Sequence, residues 1–187
     1  FGPYHQIERL DIYKEYLKRT EKNIERMIAI IQDLETISQF ESGALKLVMT
    51  NFDIVGLTRE VIDFLEIKAT KKNIKVTCAA GPDKIIMVVA DKERIRQVMI
   101  NLVDNSIKYN NEGGITIISF IQNGNTVQID VSDNGIGVDP KDIPRLFERF
   151  FRVDKSRSRE QGGSGLGLAI VKHILEAHGQ SINVKSV

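Results

Sequence analysis

The chain holds 187 residues, 42% of them hydrophobic, enough apolar side chains for one medium domain or for a small domain with an appendage. Its 26 Lys and Arg against 25 Asp and Glu leave a net charge of +1, which excludes a global field drawing in nucleic acid or an anionic membrane. Any electrostatic function must therefore come from local clustering. Cys78 is the sole cysteine, so no internal disulfide forms, and the composition fits a reducing compartment. Within the apolar-rich run 74–80 its thiol reads as buried and inert. No apolar stretch approaches the roughly 20 residues that span a bilayer, and no signal-peptide pattern opens the sequence. The chain as given reads as soluble, and Phe1 in place of Met reads as the start of a trimmed fragment.

Residues 10–40 predict one long helix. Leu10, Leu17, Ile24 and Ile31 recur every seven residues, and Tyr13, Thr20, Met27 and Leu34 follow three places later. Such a heptad seam, weakest at Thr20, cannot be buried by one helix and calls for a partner helix. A helix lying on its own domain is the alternative. Ser42 and Gly43 end the rod. Asp53 can cap a second helix running to about Lys72. Residues 74–78 read as a strand, with 85–89 as its hairpin partner around Gly81-Pro82-Asp83.

A helix follows over 91–109, then strands over 114–121 and 126–132, joined through Asn123-Gly124, a type I′ hairpin signal. Val127, Ile129 and Val131 alternate with polar neighbours, so one face of that last strand is wet. The stretch 133–163 is polar and glycine-bearing. A helix over 164–178 stops at Gly179, and residues 181–187 start another strand. The mixture of helices and hairpins predicts an α+β sandwich with one helical layer.

Three segments could carry chemistry. Asn101, Asn105 and Lys108 lie at i, i+4 and i+7 on one face of the 91–109 helix. Asn is a mediocre helix former, while its carboxamide oxygen is a neutral, hard ligand for Mg²⁺ and Lys108 can meet phosphate as a point charge. An ordinary solvated face is the competing explanation. Asp133-Asn134-Gly135-Ile136-Gly137 follows a strand; its glycines permit close approach and its carboxylate can accept from an exocyclic amine, although a plain turn also satisfies it. Gly162-Gly163-Ser164-Gly165-Leu166-Gly167-Leu168 leads into an apolar helix whose first N–H groups make an anion site. It matches neither the dinucleotide fingerprint, which needs Gly at 168 and a preceding strand, nor the P-loop, which needs Lys after its last Gly. Between the glycine segments, Arg145, Arg149, Arg152, Lys155, Arg157 and Arg159 outnumber Glu148 and Asp154, with Phe147, Phe150 and Phe151 interspersed. The basic charge is confined to one glycine-flanked loop, which favours a lid closing on phosphate over a nucleic-acid patch.

In order and spacing these segments resemble the catalytic domain of bacterial sensor histidine kinases, and the resemblance covers nearly the whole chain. The run from Asn101 through Asn105 and Lys108 to Tyr109 is similar to that family's N box, and Asp133 to Gly137 to its first glycine box. Leu146-Phe147-Glu148-Arg149-Phe150-Phe151-Arg152 is similar to its F box, and Gly163 to Leu168 to its second glycine box. The resemblance implies a two-layer α/β sandwich of the Bergerat type, shared with DNA gyrase B and Hsp90, preceded by a long helix. It implies ATP and Mg²⁺ as cofactors.

Carried over residue by residue, Asn105 would be the main Mg²⁺ ligand, with Asn101 near it or holding water. Lys108 would meet phosphate, Tyr109 would pack near the nucleotide and Asp133 would take the adenine amine. Gly135, Ile136 and Gly137, with Gly163, Ser164, Gly165, Leu166, Gly167 and Leu168, would let backbone close on base and phosphates. Arg149, Phe150, Arg152 and Lys155 would make lid or γ-phosphate contacts. Asn101 stands where ATPase relatives carry a general-base Glu, which suits transfer to histidine over hydrolysis.

The resemblance also divides the chain at about residue 45. Residues 1–45 would be the second helix of a dimerisation hairpin lacking its acceptor histidine, and 46–187 the ATP-binding domain without its last strand and third glycine motif. His5 precedes Gln6 and lacks the acceptor context; His5, His173 and His178 read as surface residues, with His178 placed to stabilise a helix C-terminus. The intact protein would move the ATP γ-phosphate to an upstream histidine and then to an aspartate of a response-regulator receiver domain. It would be a homodimer through the hairpin, bind no nucleic acid, and be tied to the bacterial inner membrane only by upstream segments, with this portion cytoplasmic. An ATPase or serine kinase of the same fold is the alternative function, and a dimerisation module with a dead ATP site is a third reading.

Overall fold

The computed structural model describes residues 3–42, 46–153 and 164–186. Helix α1 spans Pro3–Glu41. Along it the heptad residues Leu17, Ile24, Met27 and Ile31 stay more than half exposed. A second stripe does the packing: Ile30, Ile37 and Phe40 join a cluster with Val98, Leu166, Ile170 and Ile174. The alternative of a helix lying on its own domain is thus met on one face, while no partner helix covers the heptad face among the described residues. Its last turns lie on the domain and its seam remains open.

Strand β1 (Met49–Asp53) leads into α2 (Ile54–Lys71). Asp53 caps α2 as expected, accepting from the N–H groups of Val55 and Gly56 at 3.1 and 2.9 Å. It also accepts from Ile86 N–H at 2.9 Å, which ties the cap to the segment entering β3. Burial pushes the Asp53 carboxyl up, but these three backbone donors outweigh it and hold the group below its usual range.

Next come β2 (Lys75–Cys78), β3 (Met87–Asp91), α3 (Lys92–Tyr109), β4 (Ile115–Asn123) and β5 (Thr126–Asp133). A 3-10 turn at Ile143–Arg145 and helix α4 (Gly167–Ala177) follow. The hairpin expected between β2 and β3 does not form. β2 runs parallel to β4, from Lys75↔Ile115 to Cys78↔Ile118. β3 pairs antiparallel with β1, from Met49↔Asp91 to Asp53↔Met87. A parallel neighbour requires a crossover, and β3 with α3 supplies it. Ile86, buried with Phe52 and Ile54, draws β3 toward β1.

β4 and β5 form the expected hairpin, but its two loop residues are Gly124 and Asn125, since Asn123 pairs with Thr126. Only Gly124 takes positive φ, the pattern of a type II′ turn and not of type I′. Residues 180–186 form no strand, because no strand partner lies beside them among the described residues.

Helices α2 and α3 cover one face of the β2-β4-β5 sheet. Val61 and Leu65 from α2 meet Met99, Val103 and Ile107 from α3 over Ile118 of β4. Each such side chain contributes about 1.5–3 kcal/mol on burial. On its other flank α3 packs Val98 and Leu102 against α4. α3 is therefore held from several sides, and the stripe left over is the one carrying Asn101 and Asn105. His178 does more than sit on the surface. Its Nδ1 lies 2.7 Å from Ile174 O at the end of α4, and its Nε2 accepts from Asp91 N–H at 3.1 Å. His173 is half-buried and stacks on Phe40 of α1 at 6.4 Å.

Candidate functional site

Helix α3 begins at the cap residue Asp91, which accepts from Arg94 N–H at 3.1 Å. Its polar stripe runs from Asn101 to Tyr109, about 12 Å at helical rise. Asn101 and Asn105 are half-buried, whereas Lys108 is 8% exposed. The Lys108 ammonium lies 5.1 Å from the centre of the Tyr109 ring. Burial lowers its pKa to about 8, and the Arg152 guanidinium is the next cause, with Lys68 and Arg26 adding and Asp104 opposing. Burial also raises the Tyr109 hydroxyl above its usual range. Lys68 pairs with Asp104 on the neighbouring face of α3. Lys72 donates to Lys108 O at 2.5 Å and Ile107 O at 3.3 Å, satisfying carbonyls at the helix end.

The loop after β5 closes on this end of α3. Ile136 N–H donates to Tyr109 O at 3.1 Å, and Gly135 N–H to Asp133 Oδ1 at 2.9 Å. A Cβ on Gly135 would sit 2.5 Å from Tyr109 O, so only glycine fits there. Gly137 takes φ +66°, the left-handed region. Asp133 is exposed, and among the described residues its Oδ2 accepts no hydrogen bond, leaving a carboxylate oxygen for an incoming amine. Asn134 Oδ1 accepts from Ile115 N–H at 2.7 Å, which pins the loop to β4.

The second glycine segment closes on the other end of the polar stripe, at mid-helix Asn101. A Cβ on Gly167 would lie 2.9 Å from Asn101 Oδ1. Gly165 takes φ +76°, and its carbonyl accepts from Phe150 N–H at 2.9 Å. Phe150 itself has φ +61°, a strained setting for an aromatic residue. Phe150 is exposed and Arg149 is exposed, while Arg152 is half-buried. Arg145 forms an ion pair with Glu148 and stacks over Phe151 at 4.4 Å, so it belongs to the loop's own structure. Leu166 is fully buried in the core, which leaves its backbone as the part that can face a ligand. Ser164, Gly165, Gly167 and Leu168 lie along the same approach to α4. Lys155, Arg157, Arg159 and Gly163 lie outside the described residues.

The three segments thus converge on one face of α3, with Asp133 at one end and the start of α4 at the other. Residues 90–187 match the family model described as histidine kinase-, DNA gyrase B- and HSP90-like ATPase. The chain belongs to this family.

Among curated proteins it is similar to sensor histidine kinase WalK of Bacillus subtilis, 37% identical over 96% of this chain and 30% of that protein. Among solved structures it is similar to full-length ShkA in complex with AMPPNP, with TM-score 0.74 and 28% identity over 89% of this chain and 34% of that one. It is also similar to the catalytic domain of histidine kinase ThkA, with TM-score 0.61 and 32% identity over 70% of this chain and 82% of that one. The chain spans less than half the length of the curated relatives it matches. The α+β fold with its preceding long helix, and the likeness to sensor histidine kinases, are as the four motifs imply.

The residues present suit a magnesium-bound nucleotide. Nε and Nη2 of Arg152 are buried without a hydrogen-bond partner among the described residues, a costly state that an anion would relieve. Gly135 and Gly167 keep the floor at both ends of the Asn101–Tyr109 stripe free of side chains. Asn101 and Asn105 present neutral oxygen donors between them.

Two features escaped sequence reasoning. Asp33 of α1 accepts from the Ser164 hydroxyl at 3.2 Å across 131 residues, a contact that no local pattern announces. The buried chain from Asn110 Nδ2 to Thr116 Oγ1 to Ser106 Oγ fixes the end of α3 against β4, at 3.4 and 3.1 Å. Its signal, three small polar residues flanking an apolar helix end, is too common to single out.

Proposed function

We propose that this chain is the ATP-binding kinase core of a two-component sensor histidine kinase. The observation that carries this reading is the convergence of Asp133, the Asn101–Asn105–Lys108 stripe and the Gly165–Gly167 turn on one face of α3. Asp133 would accept from the adenine amine and so select the base. Gly135, Ile136 and Gly137 would give the ring room and backbone contact, with Tyr109 packing beside it. Asn105 would hold Mg²⁺, with Asn101 as a further oxygen ligand or through water. The bound ion would neutralise phosphate charge and fix the phosphate oxygens for in-line transfer. Lys108 and Arg152 would supply positive charge at the outer phosphates; Ser164, Gly165, Leu166, Gly167 and Leu168 would supply backbone. Arg149, Phe150, Lys155 and Gly163 are assigned to the covering loop. Catalysis would consist of positioning and charge stabilisation.

In the whole protein the γ-phosphate would pass to a histidine outside these 187 residues and then to a receiver-domain aspartate. A side-chain carboxamide at Asn101 cannot serve as a general base for water, which favours transfer over an ATPase role. Residues 1–45 would contribute one helix of a dimerisation hairpin and 46–187 the nucleotide domain. The membrane would be reached only through other segments.

Equilibrium titration with Mg·ATP tests the pocket. Asp133→Ala and Asn105→Ala are each expected to weaken binding at least about tenfold, near the loss of one or two charge-assisted hydrogen bonds. Unchanged affinity in both variants rejects the assignment.

A further inference from the structure

We propose that the Asp33 carboxylate of α1 competes with nucleotide phosphate for the start of α4, so that seating α1 on the domain lowers nucleotide affinity and nucleotide binding loosens α1. This rests on the nucleotide reading given above and adds to it a regulatory contact.

Helix α4 opens at Gly167 with Leu166 before it and no side-chain cap on Leu166. A helix N-terminus carries partial positive charge and unsatisfied N–H groups, and so attracts an anion. Here the anion comes from the chain itself. Leu166 N–H donates to Ser164 Oγ at 3.2 Å, and the Ser164 hydroxyl donates to Asp33 Oδ2 at 3.2 Å. The carboxylate thereby completes a relay that ends on the backbone leading into α4.

Asp33 also lines a hollow of about 380 Å³ together with Glu93, Arg96, Gln97, Ile100 and Asn101. Gly167 abuts Asn101 at the rim of the proposed phosphate site. Among the described residues no salt bridge joins Asp33. Burial raises its carboxyl above the usual range, and the Ser164 hydroxyl offsets only part of that. Arg96, which shares the hollow, pairs with Glu60 and Glu93 instead, so the half-buried Asp33 carboxylate is held there by the apolar contacts around it. Ile30, Ile37 and Phe40 of α1 pack on α4 and α3, with Phe40 set between Arg94 at 5.9 Å and His173 at 6.4 Å.

A polyphosphate arriving at the Ser164–Gly167 turn meets this negative charge and must either displace it or bind against it. By linkage, whatever factor docked α1 costs the nucleotide, the nucleotide costs α1 docking.

The test is Mg·ATP titration of the 187-residue chain and of Asp33→Asn, which keeps an acceptor for Ser164 and removes the charge. Wild type is expected to bind, and Asp33→Asn to bind about fivefold tighter or more, the lower range of coupling between linked sites. Hydrogen exchange in residues 30–40 should quicken on adding Mg·ATP to wild type, and less so in Asp33→Asn. Equal or weaker binding by Asp33→Asn, with wild type binding normally and both chains folded by circular dichroism, overturns the proposal. Absence of Mg·ATP binding in wild type and variant alike overturns the nucleotide reading itself.

Discussion

Lys108 shows what a single position can report. Its 8% exposure and its cationic neighbour Arg152 place its pKa at about 8, against 10.5 for a free lysine. Between those values the unfolded chain holds a proton that the folded chain has released, so the Lys108 contribution to stability rises with pH across that window. Below about pH 8 the folded chain carries the cost of the buried charge in full. A phosphate beside Lys108 favours its protonated form. Nucleotide binding at pH 8.5 is therefore expected to take up a proton, with affinity falling as pH rises past 8. Calorimetry in two buffers of different ionisation enthalpy measures this uptake; it should vanish in Lys108→Met, and an absence of uptake in wild type contradicts the assigned role.

The Asn101, Asn105 and Lys108 stripe was legible because helical spacing alone puts the three on one face. The orphaned guanidinium nitrogens of Arg152 were not, since they depend on how a loop folds back. The Asp33–Ser164 contact was not either, because 131 residues separate the partners.

At the level of elements, α1 carries two apolar stripes with different duties. The heptad was readable and fixes the exposed seam. The stripe of Ile30, Ile37 and Phe40 was hidden within the same helix, because its partners on α4 lie far along the chain. Leu17 is 69% exposed and Ile31 61%, values that ask for a covering helix. The seam is expected to drive self-association. Leu17→Lys with Ile24→Lys and Ile31→Lys should yield a monomer by sedimentation equilibrium where wild type associates. Because these side chains touch little of the domain, each change should alter stability by no more than about 0.5 kcal/mol.

The exchanged pairing of β2 and β3 marks a limit of another kind. Turn chemistry around Gly81-Pro82-Asp83 predicted a hairpin, but burial of Ile86 beside Phe52 and Ile54 decided the matter. β1 went unread because Thr50 and Asn51 interrupt any apolar alternation.

Across the whole molecule, α3 joins the parts. It packs on α2 and the β2-β4-β5 sheet on one side and on α4 and α1 on the other, and it presents its remaining stripe to the two glycine loops. This arrangement makes fold and site one construction: loops separated by some thirty residues meet because both close on the same helix. It also gives α1 a route to the site through Asp33 and Ser164.

We propose above all that a magnesium-bound adenine nucleotide lies along α3 between Asp133 and the start of α4. Backbone amide NMR during titration with Mg·AMPPNP reads this placement out residue by residue. Saturable shifts are expected, concentrated at 101–109, 133–137 and 164–168, and the Asp133→Ala variant should lose them. Saturable shifts confined to other surfaces, such as the α1 seam or the outer face of β4, would contradict it.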